Sequence, residues 1–210
     1  MHLFDFLTQS FITLLVIINP FAVVPIFLAL TQKDSNDIKK KVAFKSCFIS
    51  LILLCSFSFL GDYILDVTKI SVGAFKITGG FLLLLSAIEM VRTNVDDIIK
   101  KCTKEDSNTD QRISEISVFP LSIPFLAGPG ALTSVVILMR EAGGISFKAE
   151  IGLIGVLVVI IVFAYYCLRM SQMLINVLGL MGTNILTKVF GIILSALSVQ
   201  SIINGIKSFF

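Results

Sequence analysis

Residues 119–131 read FPLSIPFLAGPGA, and residues 17–27 read IINPFAVVPIF. Both stretches lie inside long apolar runs, and together they hold all five prolines of the chain: Pro20, Pro25, Pro120, Pro124 and Pro129. Pro20-Phe21 matches Pro124-Phe125, and in each stretch another proline follows five residues after the first of the pair, at Pro25 and Pro129. Proline has no amide hydrogen, and its ring clashes with the carbonyl four residues back, so it interrupts a helix and frees backbone groups. Pro20 frees the carbonyl of Val16 and Pro25 that of Phe21; Pro124 frees Pro120 and Pro129 frees Phe125, while Gly128 and Gly130 loosen that turn. In hydrocarbon such groups are tolerated only when buried in protein or lining a wet cavity. Two helices broken near their midpoints are therefore expected, and packing kinks without a ligand are the plainer alternative.

The rest of the composition fits a membrane. Of 210 residues, 56% are apolar even without glycine, 15% are charged, and mean hydropathy is +0.96. A fold of this size needs a polar skin in water, so a soluble enzyme, a disordered chain and a nucleic-acid-binding module are excluded. The net charge is +3, and 18 of the 31 charges fall between Lys33 and Lys45 or between Arg92 and Glu115. Beside long apolar runs these read as cytoplasmic loops. The four cysteines, Cys47, Cys55, Cys102 and Cys167, form no CxxC pair and read as small lipid- or core-facing residues. With His2 as the only histidine, a His-based metal or catalytic site is not expected, and no cofactor is implied.

A helix needs about 20 residues to cross a core of about 30 Å. The apolar runs predict an all-α polytopic protein with six spans at 8–30, 46–64, 71–91, 117–139, 151–168 and 189–207. The first apolar run is too long for a signal peptide and reads as a retained span. Residues 170–187, with Asn176, Gly179, Gly182 and Asn184, read as a connection carrying an interfacial helix at SQMLINVL; a re-entrant segment is the alternative. One face holds twelve loop lysines and arginines and the other five, which places the first face in the cytoplasm and both termini outside. Residues 92–116 read as a hydrophilic linker between a first unit, 1–91, and a second, 117–210.

These units read as a repeat. An offset of 104 relates the proline pairs and, to within one residue, the starts of spans 2 and 5, and an offset of 112 relates Lys76 to Lys188 and Gly79 to Gly191. Three spans per unit invert the second copy. Discontinuous helices at corresponding points of inverted repeats point to a transporter site near the bilayer midplane.

At these residues the chain resembles the MarC family of bacterial integral membrane proteins: Asn19-Pro20 with Pro25-Ile-Phe27, the 119–131 segment, Lys76-Ile-Thr-Gly-Gly80 and Lys188-Val-Phe-Gly191. The likeness covers the whole chain, and Ala-Gly-Pro-Gly-Ala is its most specific part. The family usually has arginine at one or both of the basic positions; lysine keeps the charge and loses the planar fork. The resemblance implies a six-span inner-membrane protein, with small neutral amino acid transport described for at least one relative.

Candidate substrate-binding residues follow from the breaks. Asn19 either binds a polar group where the helix opens or caps the half-helix after Pro20. Pro20 and Pro25 shape that opening. Gly128, Pro129 and Gly130 would present amides at a half-helix start, whose partial positive charge suits a carboxylate, and Thr133 adds a hydroxyl. Gly79, Gly80 and Gly191 would let spans 3 and 6 approach the broken helices. Lys76 snorkels near one end of span 3. Glu89 either pairs with Arg92 at i, i+3 or couples a proton. The expected function is a secondary transporter or exporter of small neutral polar metabolites, small neutral amino acids first, coupled, if at all, to Na+ or H+. A channel, and a structural or signalling membrane protein, are the alternatives; an enzyme is not expected. The partners are the bilayer and a small molecule, not nucleic acid, and a homo-oligomer stays open.

Overall fold

The computed structural model describes residues 3–32, 34–92, 113 and 117–209. Apart from Arg92 and Ile113, the linker at 92–116 lies outside them, as do Cys102 and His2. Among the described residues the fold is all-α: α1 Leu3–Ile18, α2 Pro20–Leu30, α3 Asn36–Thr68, α4 Val72–Arg92, a π-helical segment Ser117–Leu126, α5 Pro129–Gly143, α6 Phe147–Arg169 and α7 Ser171–Lys207. Among the described residues, five helical stretches are long and apolar enough to cross a membrane, counting Leu3–Leu30 across its break. The expected fourth span is not one of them, because the interruption at Ala127 and Gly128 leaves only shorter pieces on either side.

Two boundaries differ from the sequence reading. Helix α3 begins at Asn36, where the Ser35 hydroxyl accepts from the Ile38 amide, so Lys39, Lys40, Lys41 and Lys45 ride on the first turns of a helix rather than in a loop. The sixth span starts near Met181 rather than at residue 189. SQMLINVL is helical as expected, but Gly179 alone breaks α7, with φ 69° and ψ 166°, and the helix resumes at once. One glycine at positive φ turns the chain without a loop. Lys188 therefore lies within a helix, not at its start.

The apolar surface sorts as a membrane protein requires. Phe27, Leu54, Leu121 and Leu157 are fully buried, while Phe4, Phe59, Val159 and Ile192 stand exposed on the outside. Cys47 and Cys167 are buried in the core and Cys55 is half-buried.

Helices α4 and α7 run antiparallel along their length. Gly73 meets Gly205, Gly80 meets Ser198, and Ala87 meets Gly191, so rising numbers on α4 face falling numbers on α7 in steps of seven. A Cβ on Gly80 would stand 2.8 Å from the Ser198 carbonyl oxygen, and one on Gly205 would stand 2.7 Å from that of Gly73. Small residues let backbones meet where apolar side chains gain nothing by leaving lipid. The Ser201 hydroxyl donates across this interface to the Lys76 carbonyl at 3.1 Å.

The π-helical segment has its own physical cause. Pro120 and Pro124 cannot donate to a regular i→i−4 ladder, and the wider i→i−5 turn replaces it. The Ala127 amide donates to the Ser122 carbonyl at 2.8 Å. The Ser122 hydroxyl, fully buried, donates to Ser117 O at 2.6 Å and to Ser46 O of α3 at 2.9 Å.

Candidate functional site

The first break falls between Ile18 and Pro20. Asn19 takes a left-handed conformation, φ 41° and ψ 70°, and Pro20 opens α2 as its first residue. A proline at that position removes an amide that would lack a helical partner anyway. The Asn19 side chain does not cap α2. The residue is only 2% exposed, and neither Nδ2 nor Oδ1 has a hydrogen-bond partner among the described residues. A buried amide left unpaired costs about 1–3 kcal/mol, so its retention needs a reason.

The second break falls at Ala127 and Gly128. Gly128 is extended, with φ −71° and ψ 167°, and Pro129 opens α5. The expected register of the breaks is corrected here. Sequence pairs Pro20 with Pro124, whereas the helices restart at Pro20 and at Pro129. Pro25 is carried inside α2 and Pro124 inside the π-helical segment. A proline starts a helix where the chain already turns, and a continuous helix otherwise absorbs it with a lost hydrogen bond.

Both helix starts reach one cavity of about 350 Å³. Its wall includes Asn19, Gly128, Pro129 and Gly130, together with Glu89 of α4 and Lys188 of α7. Amides in the first turn of a helix have no carbonyl behind them, so two partial positive ends converge on this space.

Other expected residues lie elsewhere. Pro20 and Pro25 are buried beneath the wall without lining it. Thr133 turns away: its hydroxyl donates to Pro129 O at 3.0 Å and Gly130 O at 3.1 Å, and it packs against Gly79. Gly79 thus lies against α5, whereas Gly80 and Gly191 serve the α4–α7 contact. Gly130 also has a packing role, since a Cβ there would stand 2.5 Å from Leu83 Cδ2. Lys76 donates to Glu141 Oε1 at the end of α5 at 2.8 Å, and Arg140 reaches Asp62 of α3 at 3.3 Å. These pairs lie at one end of the bundle. Glu89 is thirteen residues along α4 from Lys76, about 20 Å away at 1.5 Å per residue. The expected Glu89–Arg92 pair is not formed; Glu89 is exposed at the cavity wall instead.

Asn184, Thr187 and Ser86 also line the cavity; Ser86 reads in the sequence as part of a polar stripe on its span, whereas Asn184 and Thr187 were not legible as site residues. The signal for Asn184 was its place in an apolar run, hidden by reading that run as a connection.

Residues 4–210 match the family described as MarC family integral membrane protein. The chain belongs to the MarC family. It is 35% identical to a UPF0056 membrane protein of Methanocaldococcus jannaschii over 94% of both chains. It is 34% identical to the UPF0056 membrane protein YhcE of Escherichia coli K12, over 96% of this chain and 92% of that one. A UPF0056 membrane protein of Aquifex aeolicus is 32% identical, over 95% and 92%. No solved structure matches the chain. MarC membership makes this a multi-pass integral membrane protein, in keeping with its apolar helices.

Proposed function

We propose that this MarC protein is a secondary transporter or exporter of small neutral polar metabolites, small neutral amino acids first, working by alternating access around the cavity between the two breaks. The observation that carries this reading is the convergence of two half-helix starts on one cavity, with the buried, unpartnered Asn19 at one of them. About 350 Å³ lies at the small end of ligand pockets, roughly 300–1,000 Å³. Partial positive helix ends suit a carboxylate, and polar wall atoms without partners suit a ligand that brings its own hydrogen bonds.

In the proposed architecture, the π-helical segment and α5 together make a sixth crossing, and residues 1–91 and 117–210 are inverted three-helix repeats. The antiparallel α4–α7 contact and the meeting of both half-helix starts at one cavity support it. Both termini are proposed to lie outside the cytoplasm of a bacterial inner-membrane protein. On that orientation the Glu89–Lys188 end faces inward, and the Lys76–Glu141 and Arg140–Asp62 pairs close the outer end. No catalytic role, cofactor or nucleic-acid partner belongs to this reading; coupling is to Na+ or H+ where a gradient drives it.

Purified protein in liposomes tests the function. Uptake of labelled alanine with saturation and counterflow is expected; no uptake of any small amino acid, with or without a sodium or proton gradient, would remove the reading. Orientation is tested separately with single cysteines in a background lacking native ones. Positions Ser35 and Ser107 should be shielded from an impermeant thiol reagent in intact cells, and Ser208 should react.

A further inference from the structure

Two opposite charges stand on the wall of the cavity and do not close on each other. Glu89 projects from the last turn of α4, and Lys188 from within α7. Neither forms an ion pair with the other or with another described residue, although Arg92 is only three residues from Glu89. At the far end of α4 the same two charge types do meet, with Lys76 on Glu141 at 2.8 Å. Ionisable groups within membrane helices are costly, and they ordinarily face a cavity or pair with one another. Here the acid and the base share a cavity that Asn19 and the first turn of α5 also line.

We propose that Glu89 and Lys188 are the two poles of a zwitterion site. Lys188 and the amides of the α5 start take the carboxylate. Glu89 takes the ammonium. A ligand carrying both charges close together bridges a separation that the two side chains leave open, and both charges of the site are compensated at once. A carboxylate alone leaves Glu89 uncompensated beside it, and an amine alone leaves Lys188 so. The ligand class is therefore a small α-amino acid with an uncharged side chain. This assignment rests on the transporter reading and assigns the charge selectivity of the same cavity.

The experiment is calorimetric binding of L-alanine, propionate and alaninamide to the full-length protein in lipid nanodiscs. Wild-type protein should bind alanine at least tenfold more tightly than either one-charge probe. E89Q should bring propionate to within about twofold of alanine while alaninamide stays weak. K188Q should do the reverse, bringing alaninamide level with alanine. Size-exclusion profile and thermal unfolding check that each variant is folded, and E89D and K188R should keep the preference for alanine. Equal affinity of wild-type protein for alanine and propionate overturns the assignment without recourse to any variant. An equal weakening of all three probes in a folded E89Q or K188Q overturns it too, as does no change in either. In each of those cases alanine transport itself can stand. Absence of alanine binding and uptake by wild-type protein removes the transporter reading and the assignment together.

Discussion

At Asn19 the chain breaks over one residue, in a left-handed conformation, and offers a side chain whose two polar atoms have no partner. At Ala127 and Gly128 it breaks over two residues after a π-helical approach, and the wall there, at Gly128, Pro129 and Gly130, is backbone and a proline ring. The π-helical approach is laced to α3 by serine hydroxyls, and Gly130 is wedged against Leu83 of α4. The first break therefore separates function from packing, because the Asn19 amide makes no hydrogen bond that holds the fold together. The second joins them, because the same glycine that exposes the α5 start also seats it. Substitutions should reveal this difference.

The largest effect is expected at Gly130. Gly130→Val places a branched side chain where even a Cβ would approach Leu83 Cδ2 to 2.5 Å. Overpacking of this kind costs about 1–3 kcal/mol, so thermal stability and alanine uptake should fall together. Adding Leu83→Ala should recover part of the stability. Loss of uptake with an unchanged unfolding temperature would separate the two roles that the comparison joins.

Asn19→Gly should act in the opposite sense. Glycine accepts φ 41° readily, and the variant deletes a buried amide whose lack of partners costs about 1–3 kcal/mol. The unfolding temperature of ligand-free protein should rise while uptake drops at least tenfold. A destabilised variant would mean that the amide supports the fold, and the contrast between the breaks would disappear.

Ser122→Ala removes the hydroxyl that ties the π-helical segment to Ser46 O. A loss of about 0.5–1.5 kcal/mol is expected from such a bond, measured by denaturation in detergent. The corresponding cost should be absent on the first side, where the Asn19 side chain makes no hydrogen bond among the described residues.

The smallest effect is expected from Lys76→Gln. Its pair with Glu141 is partly exposed, 20% and 47% for the two side chains, and such pairs contribute about 0–1 kcal/mol. Stability should decline within that range, while discrimination between alanine and propionate stays as in wild type. A change in discrimination would place Lys76 in the cavity with Lys188.

Helix content, the membrane environment and the existence of both breaks were legible along the chain, because they depend on local chemistry: apolar run length, missing proline amides and glycine freedom. That chemistry also marked Asn19 and the Gly128-Pro129-Gly130 turn. It could not tell which proline of each pair restarts the helix, since Pro20 and Pro129 do so while Pro25 and Pro124 are absorbed within helical turns. That choice depends on what each turn packs against, such as the Ser122–Ser46 lacing. Nor could spacing along α4 separate Gly79, which meets Thr133, from Gly80, which meets α7. Lys76 and Lys188 read alike as repeat-related lysines, yet only tertiary contacts set one on Glu141 and leave the other at the cavity. Glu89 and Arg92 are spaced to pair on one helix face, and an isolated helix would allow it. The approach of α7 and the two half-helix starts instead puts Glu89 on the wall of a cavity, and only the folded bundle creates that space.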